Sequence, residues 1–197
     1  MGLCVSAIAG NIGMNCEHPI EGGYTGRGVL IPLDSDTVTL TRDAQNPRII
    51  TVIALASGDK VVVVDNAGSA APFDGSSTTG NADAGFTKFV KAVDVRLMER
   101  GAAFSKNVLE PLTKSARGYI GVFEKVDQAG DGSFEVIGAQ SAMKVVDPST
   151  VTRSETANGG AWSATLQASE MYAECTLFDT DYATSLAAFE ALLAKGF

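Results

Sequence analysis

The feature that most constrains this fold is a series of short segments rich in β-branched residues and separated by turn residues. Residues 37–41 alternate strictly between threonine and apolar side chains, as a strand with one buried face does. The segments 49–55 and 60–65 flank a turn over 57–60, and we predict that they pair as a hairpin. Further strands are predicted over 29–33, 86–99, 117–125, 133–138 and 161–168.

One internal segment favours a short helix within residues 102–115. Ser105 is a suitable N-cap, and Pro111 limits how far the helix extends. The predicted apolar face comprises Val108, Leu109 and Leu112.

A second helix is predicted near the C-terminus, over residues 184–195. Thr180 or Asp181 is placed to cap its start, and Gly196 follows its last turn. Its apolar stripe comprises Leu186, Phe189, Leu192 and Leu193. The order of strands, a short helix, strands and a terminal helix predicts a mainly β protein with accessory helices, of the α+β class.

In two stretches the apolar residues show neither the spacing of a strand nor that of a helix. Residues 1–28 are predicted to form a glycine-rich N-terminal arm, and residues 66–85, rich in small side chains, a long loop. The remainder, residues 29–197, is predicted to be a single β-rich domain.

The charge balance argues against a nucleic-acid-binding protein with a basic face. The formal net charge is −8 and the sequence pI is about 4.6, whereas phosphate contacts need a surplus of Lys and Arg. An acidic channel wall would instead repel a duplex and let it slide. Residues 1–10 lack the basic residues of a secretory signal, and no apolar run is long enough to span a bilayer. We therefore expect synthesis in the cytoplasm and no membrane contact.

Few side chains in the sequence offer chemistry. Cys16 and the single histidine, His18, could in principle form a metal corner or a nucleophile pair, but two ligands do not make a site. Cys4, Cys16 and Cys175 show no CxxC spacing, and we expect three reduced thiols. Glycine-rich 22–28 matches no phosphate-binding loop, and 127–133 departs from a calcium loop. The sequence thus predicts no catalytic, cofactor or metal residues, and no enzyme.

Four stretches of the sequence resemble a known family. Cys16-Glu17-His18-Pro19 leads into the first strands, and 132–138 fits the strand pattern G-x-F-E-V-x-G. Residues 160–166 follow the strand pattern G-x-W/Y-x-V-x-L, with Ala164 in place of its valine, and 178–186 fit the helix entry F-x-T-D-x-A-T-x-L. In this order, the stretches resemble tail-tube-like virion structural proteins of long-tailed bacteriophages.

The resemblance implies a fold and a function. It implies two packed antiparallel sheets with a flanking helix, and hexameric rings in which the inner sheets close into one barrel. Rings would stack into a tail tube and contact other virion tail proteins. DNA would pass through the lumen without sequence-specific binding. No catalytic residue is implied.

Several alternatives remain open at the level of sequence. A head–tail connector, a tail terminator and a capsid decoration protein share the virion setting, and a monomeric β-sandwich binding module would need an exposed aromatic platform. A small hydrolase would use Cys16 and His18. For an assembling protein, the predicted contact surfaces are the arm 1–28, the loop 66–85 and the strand 86–99.

Overall fold

The computed structural model describes residues 23–33, 38–64, 73–81, 88–97, 101–126, 128, 130–145, 147, 151–153 and 160–197, with only the backbone described over 73–81. The strands are β1 (Tyr24–Pro32), β2 (Thr39–Arg42), β3 (Ile49–Ala54), β4 (Val62–Val64), β5 (Phe73–Asn81), β6 (Lys88–Leu97), β7 (Tyr119–Lys125), β8 (Phe134–Ile137), β9 (Lys144–Val145), β10 (Thr152–Arg153), β11 (Trp162–Glu170) and β12 (Thr176–Leu177). The helical segments are α1 (Ala102–Phe104), a π-helical turn (Ser105–Leu109), α2 (Glu110–Lys114), a 3-10 turn (Gly130–Gly132) and α3 (Tyr182–Leu193).

The strands form two sheets. The seven-stranded sheet has the order β2-β3-β12-β8-β7-β1-β4, and the five-stranded sheet has the order β10-β11-β6-β5, with β9 also pairing with β11. Among the described pairs only β12 and β3 run parallel. The mainly β, α+β prediction, with two sheets, a short internal helix and a C-terminal helix, is confirmed.

The seven-stranded sheet is covered on both faces. Leu30 packs into a core shared with Val93 and Val95 of the five-stranded sheet. Its neighbours Val29 and Ile31 point the other way, into a core that α3 completes. All four residues of β8 are consequently buried. The structure therefore has three layers: five-stranded sheet, seven-stranded sheet and α3.

Helix α3 is positioned by a cap and an aromatic contact. The Asp181 carboxylate accepts a hydrogen bond of 2.8 Å from the backbone N–H of Thr184, as expected of the N-cap. Phe189 is fully buried, and its ring lies 5.1 Å from that of Phe134 on β8. Ala194, rather than Gly196, is the C-cap. The apolar stripe predicted from the sequence thus packs on the sheet.

The predicted hairpin between 49–55 and 60–65 is wrong. β3 pairs with β2 and β12, whereas β4 pairs with β1 at the opposite edge of the seven-stranded sheet. The cause lies at the end of α3, where Val61 forms a parallel bridge with Gly196 and its N–H donates to the carbonyl of Lys195. The chain therefore passes the end of the helix instead of folding back on β3.

Two predicted irregular segments contain strand. Within the predicted loop 66–85, residues 73–81 form β5 and pair with β6. Its small polar residues give no apolar alternation, so only its partner strand defines it. Within the predicted arm 1–28, β1 already begins at Tyr24, while residues 1–22 lie outside the described part.

The internal helix lies within the predicted segment 102–115, but its predicted cap is wrong. Ser105 is not an N-cap but the first residue of the π-helical turn, and α1 starts at Ala102. Phe104, one residue before the predicted cap, is buried. Its burial extends the helix toward the N-terminus, beyond what the cap signal indicated.

Candidate functional site: a buried charge cluster between the sheets

A lysine lies in the core between the two sheets. On β6, Lys91 shares its face with Val93 and Val95, and all three side chains have 0% exposure. Its Nζ lies 2.5 Å from Oε1 of Glu135, which projects from β8 of the opposite sheet. A buried charge is costly unless it is paired, and this ion pair supplies the partner across the interface.

Glu135 holds further donors on its second oxygen. The Tyr24 hydroxyl donates to Oε2 at 2.6 Å, and Nζ of Lys125 lies 3.5 Å from the same atom. Burial by itself raises the pKa of the Glu135 carboxyl, but Lys91, Tyr24 and Lys125 together bring that pKa below its ordinary value. The carboxylate is the favoured form.

Lys125 connects this cluster to solvent. Its side chain is 25% exposed and also contacts the carboxylate of Glu174. Burial lowers the pKa of the Lys125 ammonium, whereas Glu174 and Glu135 raise it, and the net direction is upward. The charge cluster is therefore fully buried at Lys91 and partly exposed to solvent at Lys125.

A second carboxyl group lies beside Lys91. In the β6–β11 register Ala168 opposes Lys91, so Glu170, two residues further along β11, is its diagonal neighbour on the same face. Its Oε1 accepts a 2.9 Å hydrogen bond from the N–H of Gly138, and the residue is 1% exposed. Oε2 has no hydrogen-bond partner among the described residues. Burial raises the pKa of the Glu170 carboxyl, and the positive charge of Lys91 lowers it. The net direction is upward.

A separate ion pair lies on the α3 side of the seven-stranded sheet. Glu124 on β7 is 2% exposed, and its Oε2 lies 3.3 Å from Nη1 of Arg27. Arg27 also contacts Glu190 on α3 and lies over the Phe189 ring, 5.6 Å from its centroid. This network joins the helix to β1 and β7 and is separated from Lys91 by the sheet itself.

Most of the chemistry-bearing residues considered in the sequence lie outside the described part of the chain. Cys4, Cys16 and His18 lie outside the described residues. Cys175 is a buried free thiol. Its pKa is raised, mainly by burial and to a smaller extent by the negative charge of Glu170. Within the described segments, no group of three or more His, Cys, Asp or Glu side chains could hold a metal ion. No described helix is long and apolar enough to cross a membrane.

The charge cluster was not predicted from the sequence, although the sequence contains one signal of it. In the predicted strand 86–99, every second residue from Phe89 to Leu97 is apolar except Lys91. This position indicates that the Lys91 charge faces the core. Glu135 sits within four consecutive buried residues, and Glu170 ends a strand. Their proximity follows only from how the sheets stack.

The predicted assembly surfaces have different positions in the fold. β6, within 86–99, is paired on both sides, to β5 and β11, so only its outward face is available for contacts with other chains. β5, within 66–85, pairs with β6 alone among the described strands. Comparison with protein-family models, curated proteins and solved structures found no match to this chain.

Proposed function

We propose that this chain is a non-enzymatic structural protein that assembles into stacked, hexameric rings forming a phage tail tube that conducts DNA. The observation that carries the proposal is the open edge of β5. It is a nine-residue strand at the end of the five-stranded sheet, and within the described part of the chain no strand pairs with its outer side. Unpaired backbone N–H and C=O groups at such an edge are a template for a strand of another chain.

The outward face of the five-stranded sheet is suited to line a lumen. Its outward positions on β6 and β11 are mostly small or polar, although they include the cations Lys88 and Arg96. Thr165 on this face donates to the Asp94 carboxylate at 2.5 Å. The face includes Ala92, Asp94, Ser163, Thr165 and Gln167. Apart from Lys88 and Arg96, the outward positions of β6 and β11 offer DNA phosphates no cationic side chain.

The charge of the whole chain supports the same function. A net charge of −8 per subunit would be repeated around each ring, and it repels the phosphate backbone instead of holding it. The resemblance of the sequence to tail-tube-like proteins, whose strand and helix patterns occur in the same order, also supports the proposal. Other virion tail proteins and the virion itself are the partners and location that the proposal entails.

Charged residues placed on the β5 edge test the proposal. Ser77 and Thr79 lie opposite Ala92 and Val90 in the β5–β6 register. A Ser77→Lys/Thr79→Lys variant would place repelling charges along the edge, and it should remain a monomer while keeping its β circular dichroism spectrum. Sedimentation velocity measures the oligomeric state of this variant and of the unaltered chain.

The matched control adds the same charge elsewhere. Ala183 and Ala187 are exposed on α3, so Ala183→Lys/Ala187→Lys changes the net charge equally without touching a strand edge. The control should assemble like the unaltered chain. Equal assembly of the edge variant and the control would contradict a role for β5.

A further inference from the structure

An amine and a carboxyl group are held in contact in the core, each on a different sheet. Nζ of Lys91 and Oε1 of Glu135 are 2.5 Å apart, with Lys91 fully buried and Glu135 5% exposed. Groups fixed in contact react with effective concentrations far above those in solution. Exclusion of water also protects the product of a condensation from hydrolysis. The pair therefore has the arrangement that amide formation needs.

We propose that Lys91 and Glu135 condense, without any other protein, into an amide that covalently joins the two sheets. Nζ of Lys91 forms a bond to Cδ of Glu135, the bond from Cδ to Oε1 breaks, and one water leaves. This modification is independent of assembly, since every group that it uses belongs to one chain.

The second oxygen of Glu135 is held by donors of the kind that stabilise an oxyanion. When Nζ attacks Cδ, negative charge develops on Oε2. The Tyr24 hydroxyl already donates to Oε2 at 2.6 Å, and the Lys125 ammonium lies 3.5 Å away. Donors fixed in a dry site stabilise such a charge without reorganisation.

We assign to Glu170, the second buried carboxyl group beside Lys91, the transfer of a proton from nitrogen to oxygen. It lies diagonal to Lys91 on the same face, it is 1% exposed, and its Oε2 has no partner among the described residues. Burial raises the pKa of this carboxyl, whereas the pKa of Glu135 is lowered, so Glu170 is the carboxyl group of the two that more readily holds a proton. A protonated Glu170 can donate one proton while it accepts another.

The step balances within the cluster. The ammonium of Lys91 carries three protons, and the amide nitrogen keeps one. One proton passes directly from Nζ to Oε1 within the ion pair, and the second passes through Glu170 to the same oxygen. Oε1 leaves as water, and neither an oxidant nor a cofactor is required.

Intact mass spectrometry of the purified full-length chain tests the proposal. The expected mass is lower than the sequence mass by one water. After trypsin digestion, peptides 89–96 and 126–144 should appear as one linked species joined between Lys91 and Glu135. In an unlinked chain trypsin also cleaves after Lys91, so recovery of peptides 89–91, 92–96 and free 126–144 from folded protein would overturn the proposal. The same peptides with a loss of water at Asp131-Gly132 would overturn it as well.

Two conservative variants test the roles of the neighbours while leaving the reacting pair intact. Glu170→Gln keeps the shape but cannot relay a proton, and we expect it to fold with the full sequence mass. Tyr24→Phe removes one donor to Oε2 and should slow the loss of water in freshly made protein. Glu110→Gln, an exposed control on α2, should become linked like the unaltered chain. Unchanged linkage in the Glu170 variant would overturn the proton-carrying role.

Discussion

Lys91 on β6 and Glu135 on β8 bring their charged atoms within 2.5 Å of each other in the core between two sheets. Each residue belongs to a strand whose other inward side chains are apolar, such as Val93 and Ile137. An ion pair at this position gains little over apolar side chains of similar size, because both charges lose their hydration. We expect it to fix how one sheet stacks on the other, and removal of a single partner should be costly.

The first prediction concerns this pair. Neither Lys91→Met nor Lys91→Met/Glu135→Leu can form the amide, so the two variants compare the unlinked core directly. Lys91→Met alone leaves the Glu135 carboxylate buried without its main partner, and its free energy of unfolding should be lower than that of the double variant by about 3–5 kcal/mol. The double variant Lys91→Met/Glu135→Leu should be more stable than the single variant, since no buried charge remains unpaired. Urea unfolding at neutral pH measures both. A double variant less stable than the single variant would refute this account of the pair.

The second prediction concerns pH. The pKa of Glu170 is raised in the folded protein, so folding favours its protonated form. The resulting stability is fully present below the pKa of the unfolded chain and is lost as the pH rises through the folded pKa. Glu170→Gln should therefore lose less thermal stability than the unaltered chain between acidic and neutral pH. Melting temperatures across that range decide the matter, with Glu110→Gln as the exposed control.

The third prediction concerns the turn that holds Glu170. Gly138 has φ of 88°, and a Cβ at this residue would lie 2.6 Å from the carbonyl oxygen of Tyr119. Gly138→Ala should cost roughly 1–3 kcal/mol through backbone strain, with the steric overlap in addition. Gly132→Ala is the matched control, because nothing lies within 4 Å of its added Cβ. Equal denaturation midpoints for the two variants would be evidence against a strained turn.

The fourth prediction concerns the predicted arm. Deletion of residues 1–14 should weaken polymerisation and leave the β circular dichroism spectrum unchanged, because β1 begins only at Tyr24. Light scattering over a concentration series reports polymerisation of the shortened and full chains. Unfolding of the shortened chain would show that these residues belong to the core and not to an assembly arm.

The sequence predicts which segments form strands and helices better than it predicts which strands pair with each other. The alternation in 37–41 and the stripe in 184–195 correspond to β2 and α3, because periodicity reports which face is buried. The predicted strand 133–138 corresponds to β8, although all four residues of β8 are buried. Pairing is a different matter. β3 and β4 are adjacent in sequence with a turn between them, yet Gly196 at the end of α3 takes the place beside Val61.

The charge cluster could be predicted only in part. Lys91 on the apolar parity of 86–99 indicates a buried ammonium, and a buried ammonium requires a carboxylate partner. Nothing in the sequence selects Glu135 or Glu170 from the other acidic residues. They meet Lys91 because β8 lies across the interface and β11 lies beside β6.

Negative-stain electron microscopy of the purified chain over a concentration series tests the proposed function most directly. Assembly through the β5 edge into stacked rings predicts hollow rings or tubes of one uniform diameter, which become longer and more numerous as the concentration rises. Particles of monomer size at every concentration would contradict the proposal that this chain is a self-assembling tube protein.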